Sequence, residues 1–564
     1  MSNKVKLILI PLIYYLALLL IGYIFIPSLN IHSVPSLIYM GLYFVYPLSL
    51  IIYLLKDKFL EYYKKKNVRF YKAIRCKNKN FTFVERPIKE KYSMNNILFR
   101  VGGVIIVFIL ALSFVMQIAG TKLFCSKLYA SQLTINDGTT EEFHEEFQFN
   151  GDDVLLPIID KDLAFKIAQS KLLTYGSQYT IDYDNFTIIS VNRNGVDELV
   201  RIAPLEYSGF FVALNKINSG SIGYIEVNVI TKEAKLVEVE GGMKYMPSAL
   251  LNKDLERHIR FNYPTALFEQ MYFEIDDNNK PYWVVPTYTN EIALFSGKNP
   301  TGVITVDPVT GETNRYSLEK HEEPSWIDRV VVVELVQDQA SNAFKYKNGF
   351  FNATFGQKKD VFTVSDGYNY FIKNGQTYYV SCITSPNDND QTSIGFVTIN
   401  LKTKEAKKYF IPGITEMRAR EIAMQHEDVK AQKLEATWPI LIDYQGVPTY
   451  FMVLKNDVQV MRYVFIDVES GAKMVLKNSL EEAKIAYEKL LNNNEDQQID
   501  ITGLVSRVRF DQENVYFIVE GYDKYFVCEN DLNINTMFLQ PGDQVNIKCV
   551  EFDEYYFVKD LTLI

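Results

Sequence analysis

A chain of 564 residues with 48% hydrophobic and 14% aromatic side chains has enough apolar material for several cores. Its net charge of −9 is unevenly divided: 16 Lys and Arg against four Asp and Glu put residues 1–119 at +12, so the remainder carries −21. That acidic remainder is ill suited to a phosphate backbone, so no nucleic acid is expected as a partner. Five cysteines without a CxxC spacing argue against a zinc ribbon, a redox pair or a dense disulfide framework.

Residues 5–26, 35–55 and 98–120 are nearly uncharged runs, each close to the ~20 residues that cross a bilayer. A cleaved signal peptide is disfavoured for the first by its length, by the lack of a small-residue cleavage site and by the second run that follows at once. Gly102 and Gly103 in the third permit close helix packing. The segment 56–97 between the second and third runs holds 13 Lys and Arg against four acids, and Lys4 and Lys6 precede the first. By the positive-inside rule, the N-terminus and this basic loop are cytoplasmic and everything from Thr121 onward is outside. The loop either binds anionic lipid heads or serves only as a topology signal, the second being the simpler reading.

Residues 121–158 read as a polar stalk. His144 sits there among Glu141, Glu142, Glu145 and Glu146, and solvated charge explains it better than metal binding, since no second His is near.

Beyond the stalk one pattern recurs. Gly302-Val303-Ile304-Thr305-Val306 alternates like a strand and runs into the turn Asp307-Pro308-Val309-Thr310-Gly311. Aligned turns begin at Asn228, Asp307, Asn400 and Asp467. Thr231, Thr310, Thr403 or Ser470 follows three residues on, and Lys232, Gly311, Lys404 or Gly471 four on. Short polar side chains there can bond back to the turn backbone. A helix is expected to open each unit, at 160–173, 248–261, 326–343 and 414–425. Hairpins follow, turning at 192–195, 276–280, 373–375 and 444–446. One helix on a three- or four-stranded antiparallel sheet is the simplest packing of these pieces. The repeats are placed at 159–246, 247–323, 324–412 and 413–478. Residues 287–300 and 384–392 read as inserted loops. Trp283, Trp326 and Trp438 are read as core rather than as glycan-stacking platforms.

The order of elements, with NNKPYWVVPTY and GVITVDPVTGETNRY, resembles the PepSY domain of secreted and membrane proteins of Gram-positive bacteria. The likeness is best over 248–318 and covers most of 160–478. It implies no shared catalytic residue. It points to peptidase inhibition, or to regulation of envelope kinases from outside the membrane.

Residues 479–496 read as a helix and a linker, with Ser479 and Glu482 suiting a capping box. Five short strands over 497–564 resemble a small OB-fold barrel. With 12 acids against five bases over 500–564, its charge argues against nucleic acid and for an adaptor or cap. Cys528 and Cys549 there are close enough to pair, or sit as two small buried side chains.

The fold class expected is therefore α+β: three N-terminal transmembrane helices, tandem helix-plus-antiparallel-sheet repeats and a small C-terminal β-barrel. No phosphate loop, HExxH or GxSxG occurs, and the five histidines are scattered. No catalytic, cofactor-binding or metal residue is assigned and no cofactor is expected. The expected function is a membrane-anchored extracytoplasmic binding, regulatory or scaffold protein of the bacterial envelope, with the lipid bilayer and an envelope protein as partners. The alternatives are a hydrolase using a cleft between repeats, with His321, Glu322, Glu323, His426 and Glu427 as its site, and a subunit of a secretion or conjugation assembly.

Overall fold

The computed structural model describes residues 3–75, 94–149, 156–173, 175–193, 195–356, 358–373, 375–387, 391–491, 498–511, 514–530, 532–551 and 555–564. The chain divides into two units: 1–461 with 467–471, and 462–466 with 472–564.

The first unit opens with helices Asn3–Phe25, Val34–Arg75 and Met94–Ala119. Two of them contain stretches long and apolar enough to cross a membrane, Val34–Leu55 and Asn96–Ala119; the described apolar stretch of the first helix is the shorter Leu9–Phe25. The second helix continues past Leu55 into the basic segment as far as Arg75. The rest of that segment, with Cys76, lies outside the described residues. The close helix contact expected at Gly102 and Gly103 is elsewhere. A Cβ on Gly103 would meet nothing within 4 Å, and one on Gly102 would make only ordinary contact with Val45. At Gly41 a Cβ would come within 2.9 Å of the Ile109 side chain, so this glycine of the second helix faces the third closely.

Three antiparallel meanders follow. The first joins Thr187–Arg193, Val196–Tyr207, Ser221–Asn228 and Ala234–Met243, with Tyr179–Ile181 on the far end of the second strand. The second joins Tyr272–Ile275, Pro281–Ile292, Ser296–Val306 and Thr313–Ser317. The third joins Asn369–Lys373, Gln376–Thr384, Thr392–Asn400 and Ala406–Tyr409. A further hairpin, Ile440–Tyr444 with Val447–Lys455, closes the series in this unit. The stretch 287–300, expected as a loop, is strand on both sides: the second meander's central hairpin is prolonged to the pair Ile292 and Ser296.

The four turns share one geometry. In the second, the Asp307 carboxylate accepts from the N–H groups of Val309 (2.8 Å) and Thr310 (3.0 Å), and Thr310 Oγ1 accepts from Glu312 N (3.2 Å). Asn228 accepts from Ile230 and Thr231, both at 2.9 Å, and Asn400 from Lys402 and Thr403, at 2.8 and 3.0 Å. Asp467 accepts from Ser470 N at 2.8 Å. The fifth position is left-handed each time, with φ of 65° at Lys232, 80° at Gly311, 65° at Lys404 and 70° at Gly471. Left-handed backbone costs a residue with a Cβ about 1–2 kcal/mol, which explains glycine at two of the four places.

The helices start where short polar caps allow. Asp160 caps Lys161–Lys171 by accepting from Leu163 N at 3.0 Å, and Asp254 caps Leu255–Asn262 by accepting from Arg257 N at 2.8 Å. Thr415 does the same for Glu416–Gln425. The helix expected over 326–343 begins only at Val333 and ends at Lys345. The preceding β-branched residues stay outside the helix, and the N–H groups of Val330 and Val331 both bond to Leu401 O, at 3.0 and 2.9 Å. β-Branched side chains lose rotamer freedom in a helix and fit this strip better.

The stretch expected as a stalk is built into the fold. Lys122–Ala130 is helical, and Ile135–Asp137 pairs in parallel with Ala406–Tyr409. Thr140–Phe147 is a helix with a Thr139–Glu142 capping box. Phe143 and Phe147 are i,i+4 neighbours, fully buried, stacked at 4.7 Å. Residues 150–155 lie outside the described residues.

In the second unit Arg462–Ile466 pairs with Met474–Lys477, and the helix Leu480–Leu491 stacks Tyr487 on Phe465 at 5.5 Å. Glu482 N bonds to Ser479 Oγ at 3.2 Å, one half of the expected capping box. The linker expected after this helix lies outside the described residues. A closed barrel follows, with strands Gln498–Phe510, Asn514–Val519, Tyr525–Glu529, Gln544–Glu551 and Tyr555–Leu563. Their order around it is first, second, third, fifth, fourth, and the short helix Ile534–Met537 lies between the third and fourth. Val505, Phe517, Phe526, Val545 and Ile547 fill it. Cys528 and Cys549 are buried, unpaired thiols.

Candidate functional site

A polar cavity of about 290 Å³ opens where the third sheet meets the helix after it. Its walls come from 363–367 and 384–387, from Thr415, Glu416 and Met417 at a helix start, and from Trp438. Glu416 is the first helical residue, so its carboxylate lies near the N–H end of the helix dipole. It is 4% exposed; one oxygen accepts from Cys382 N (2.7 Å) and the other from Ser365 Oγ (3.1 Å). Ser365 Oγ also lies 2.9 Å from Ser381 Oγ and 2.9 Å from Gly367 O. Behind them Cys382 Sγ is 3.0 Å from the Tyr450 hydroxyl, which donates to Ile414 O at 3.1 Å.

Burial sets the chemistry of this cluster. It raises the Glu416 carboxyl above its ordinary value against the opposing hydrogen bonds from Cys382 and Ser365. It raises the Cys382 thiol well above the usual range, with the Glu416 charge acting the same way. A thiol so held is a packed side chain, not a nucleophile. Trp438 lies over Gly367, where any Cβ would come within 1.6 Å of the ring. Its indole N–H is buried and meets no acceptor among the described residues. The site therefore offers the Trp438 N–H, hydroxyls of Ser365, Thr384 and Thr415, one aromatic face, the buried acid Glu416, and Lys345 and Asp366 at its wall. That set can hold a small polar group.

A second polar cluster joins the first three sheets. Asp328 N donates to Glu274 Oε2 at 3.0 Å, and Ser190 N to Asp328 Oδ2 at 3.3 Å. Arg329 donates to Ile188 O at 2.8 Å and lies over the rings of Tyr272 and Tyr370, at 5.6 and 5.1 Å. Desolvation, followed by mutual repulsion at Glu274, pushes both carboxyls up. The nearby guanidinium charge opposes that rise at both carboxyls.

The histidines do not converge. His321 is exposed, a left-handed cap to the turn Leu318–Lys320. His426 Nδ1 is 3.7 Å from Asp428. His258 Nε2 meets Gly311 O at 2.7 Å, tying the second helix to its turn, and His32 Nδ1 meets Leu294 O at 2.9 Å. His144, expected on a solvated linker, lies 3.0 Å from the buried carboxylate of Asp443. No three of His, Cys, Asp and Glu among the described residues are placed to hold a metal ion. Of the tryptophans, Trp283 is fully buried and donates to Tyr245 O at 3.0 Å. Trp326 is half-buried on Tyr282 at 4.7 Å, and Trp438 lines the cavity. Sequence reasoning missed Ser365 and Glu416, whose one local signal is Glu416 just inside a Thr-capped helix.

In the second unit a cavity of about 540 Å³ lies between the Leu480–Leu491 helix and the barrel, lined by Arg507, Arg509, Tyr516 and Tyr525 with Glu481, Glu482 and Asp511.

No family model matches this chain, and no curated protein matches it. Among solved structures, an apocarotenoid oxygenase/RPE65 chimera aligns over 68% of this chain and 62% of its own, at 11% identity and a TM-score of 0.15. Two variants of the Synechocystis apocarotenoid oxygenase align at 9% identity with TM-scores of 0.14 and 0.13, over 62% and 64% of their chains. The chain thus spans less than two thirds of each, and scores this low carry no argument about fold or activity.

Proposed function

We propose that this is a membrane-anchored extracytoplasmic binding and scaffold protein of a bacterial envelope, acting through its repeats rather than through catalysis. One observation carries the anchoring: the first three helices turn many apolar side chains outward, and among the described residues nothing covers them. Leu12, Ile13, Leu16, Leu19, Leu20, Phe44, Leu54, Val104, Phe108 and Phe114 are all exposed. Such a surface is intolerable in water and ordinary in lipid. Three crossings are read because Lys4 and Lys6 assign the start of the chain to the side of the basic loop, and the connection between the first pair hydrogen-bonds to the second repeat. Leu29 N donates to Pro264 O (2.6 Å), Asn30 Nδ2 to Thr265 O (2.8 Å) and Asn290 Nδ2 to His32 O (3.0 Å). That connection and the repeats then share one side, as an inside start with three spans requires.

The repeats are read as PepSY-like, supported by four turns of one geometry. The barrel is read as OB-like, supported by its strand order and the helix between its third and fourth strands. The binding role rests on the cavity at Ser365, Glu416 and Trp438, whose unpaired indole N–H and buried acid suit a polar ligand or a partner's polar side chain.

The test has two parts. The chain should stay with membranes after an alkaline carbonate wash. A photo-crosslinking residue at Met417, on the cavity rim, should then give a discrete adduct in intact envelopes. Release by carbonate contradicts the anchoring, and a retained protein without any adduct contradicts the binding role.

A further inference from the structure

The acidic outer part contains two segments with no acid at all. Residues 116–136 and 339–359 together hold Lys122, Lys127, Lys345, Lys347, Lys358 and Lys359, and neither Asp nor Glu. The fold brings them together: the helix Lys122–Ala130 packs on Val333–Lys345 and on Phe350–Thr354. Phe350 N donates to Ser126 Oγ at 3.1 Å, and the Lys122 ammonium lies 5.9 Å from the Tyr346 ring. Tyr346, Ala353 and Val361 form a small core beneath.

The opposite face is uncovered. Leu123, Phe124, Leu128, Phe351 and Phe355 are between 42% and 77% exposed. On the helix Leu123, Phe124, Lys127 and Leu128 share one side, while Ser126 is buried on the other. None of the six lysines forms an ion pair with another described residue. The helix is also tethered to the end of an apolar span, for the Met94–Ala119 helix stops just before it. Tyr129 Oη donates to Gly120 O at 2.8 Å, and Cys125 Sγ to Ala119 O at 3.2 Å.

We infer that Lys122–Ala130 and Phe350–Thr354 form a foot that rests in the outer leaflet of the bilayer, with its Leu and Phe side chains at the acyl boundary and its lysines on anionic headgroups. The inference deepens the membrane-anchored reading and rests on it. Lipid is the occupant because the patch is continuous with a span and because its charge complements an anionic leaflet while opposing that of the surrounding acidic domain. Anchored this way, the third repeat and its cavity are held against the membrane and not on a swinging stalk.

The full-length protein in nanodiscs of phosphatidylglycerol and phosphatidylcholine tests this, with benzoylphenylalanine placed in turn at Phe108, Phe124, Phe351 and Val196. Phe108 lies in the third span, and Val196 is an exposed hairpin residue of the first repeat. Lipid adducts should form from Phe108, Phe124 and Phe351 and not from Val196. Those from Phe351 should fall roughly threefold when the discs contain phosphatidylcholine alone, as expected for a patch that needs both apolar and ionic contact. Adducts from Phe108 but none from Phe124 or Phe351 would overturn the foot and leave the anchoring intact. Protein dimers in place of lipid adducts at Phe351 would overturn it in favour of a second copy. No lipid adduct even from Phe108 would remove the anchoring reading itself.

Discussion

The first and second sheets place different chemistry at one register position. In the second, Trp283 pairs with Val306, the residue before the turn; in the first, Arg201 pairs with Val227, the residue before its turn. The third repeat agrees with the second, placing Tyr379 opposite Ile399. Trp283 and Tyr379 are fully buried, and Trp283 packs edge-on against Phe273 at 5.4 Å. Arg201 instead reaches Phe186 O at 3.4 Å, and loss of water pulls its guanidinium down to about 10, still charged at neutral pH. A shared backbone meander therefore tolerates either an aromatic plug or a desolvated cation. The two should differ sharply in what they contribute to stability.

The largest expected effect is Trp283→Ala, which empties the second repeat's core and loses the bond to Tyr245; it should cost about 3–5 kcal/mol in denaturant unfolding of the detergent-solubilised chain. A cost below about 1 kcal/mol would mean the aromatic position does not organise the sheet. Next is Gly311→Ala. Its φ of 80° and a Tyr245 ring carbon only 2.4 Å from the added Cβ should together cost roughly 2–3 kcal/mol, visible as a lowered melting midpoint.

The first sheet should also add a pH response of its own, beside that of the buried Glu274 and Asp328. Burial, reinforced by the charge on Asp182, pushes Glu206 up to about 8, and its Oε2 accepts from Ser248 N at 3.1 Å. A carboxyl raised in the folded state contributes its stability while protonated. That stability is complete below the unfolded value near 4.5 and drains away as pH rises toward 8. Glu206→Gln should flatten this slope and gain on the order of 2 kcal/mol over the parent at pH 9. Unchanged pH curves would show that Glu206 is better solvated than its surroundings imply. The smallest effect is Arg201→Met. Replacing a poorly paired, half-buried cation by an apolar chain should be neutral or stabilise by about 1 kcal/mol, whereas a large loss would show Arg201 to be a true partner of its acidic neighbour Asp160.

Much of this architecture is legible in the sequence because its causes are local. Asn228, Asp307, Asn400 and Asp467 bond back to their own turns within three residues, so the signal survives without tertiary knowledge. The barrel strands likewise follow from alternation and turn residues. Misreadings occur where distant partners decide. The acidic 141–146 run looks like a solvated stalk until Phe143 and Phe147 find Phe396, Phe371 and Tyr409 more than 200 residues away. Residues 287–300, with two Thr, two Asn and one Gly, become strand because each half pairs with the other. The cavity was illegible for the same reason: Ser365, Glu416 and Trp438 are each ordinary, and only the packing of the third sheet on the next helix sets a buried acid beside an unpaired indole.

The proposed anchoring requires three lipid-embedded helices with residues from Thr121 onward outside the cell. Labelling intact cells with a membrane-impermeant maleimide reads this directly, using native Cys76 in the basic loop and an added Val196→Cys in the first repeat. Val196→Cys should label at once, and Cys76 only after the membrane is permeabilised. Immediate labelling at Cys76, or protection of Val196→Cys in cells whose surface the reagent reaches, would contradict the account.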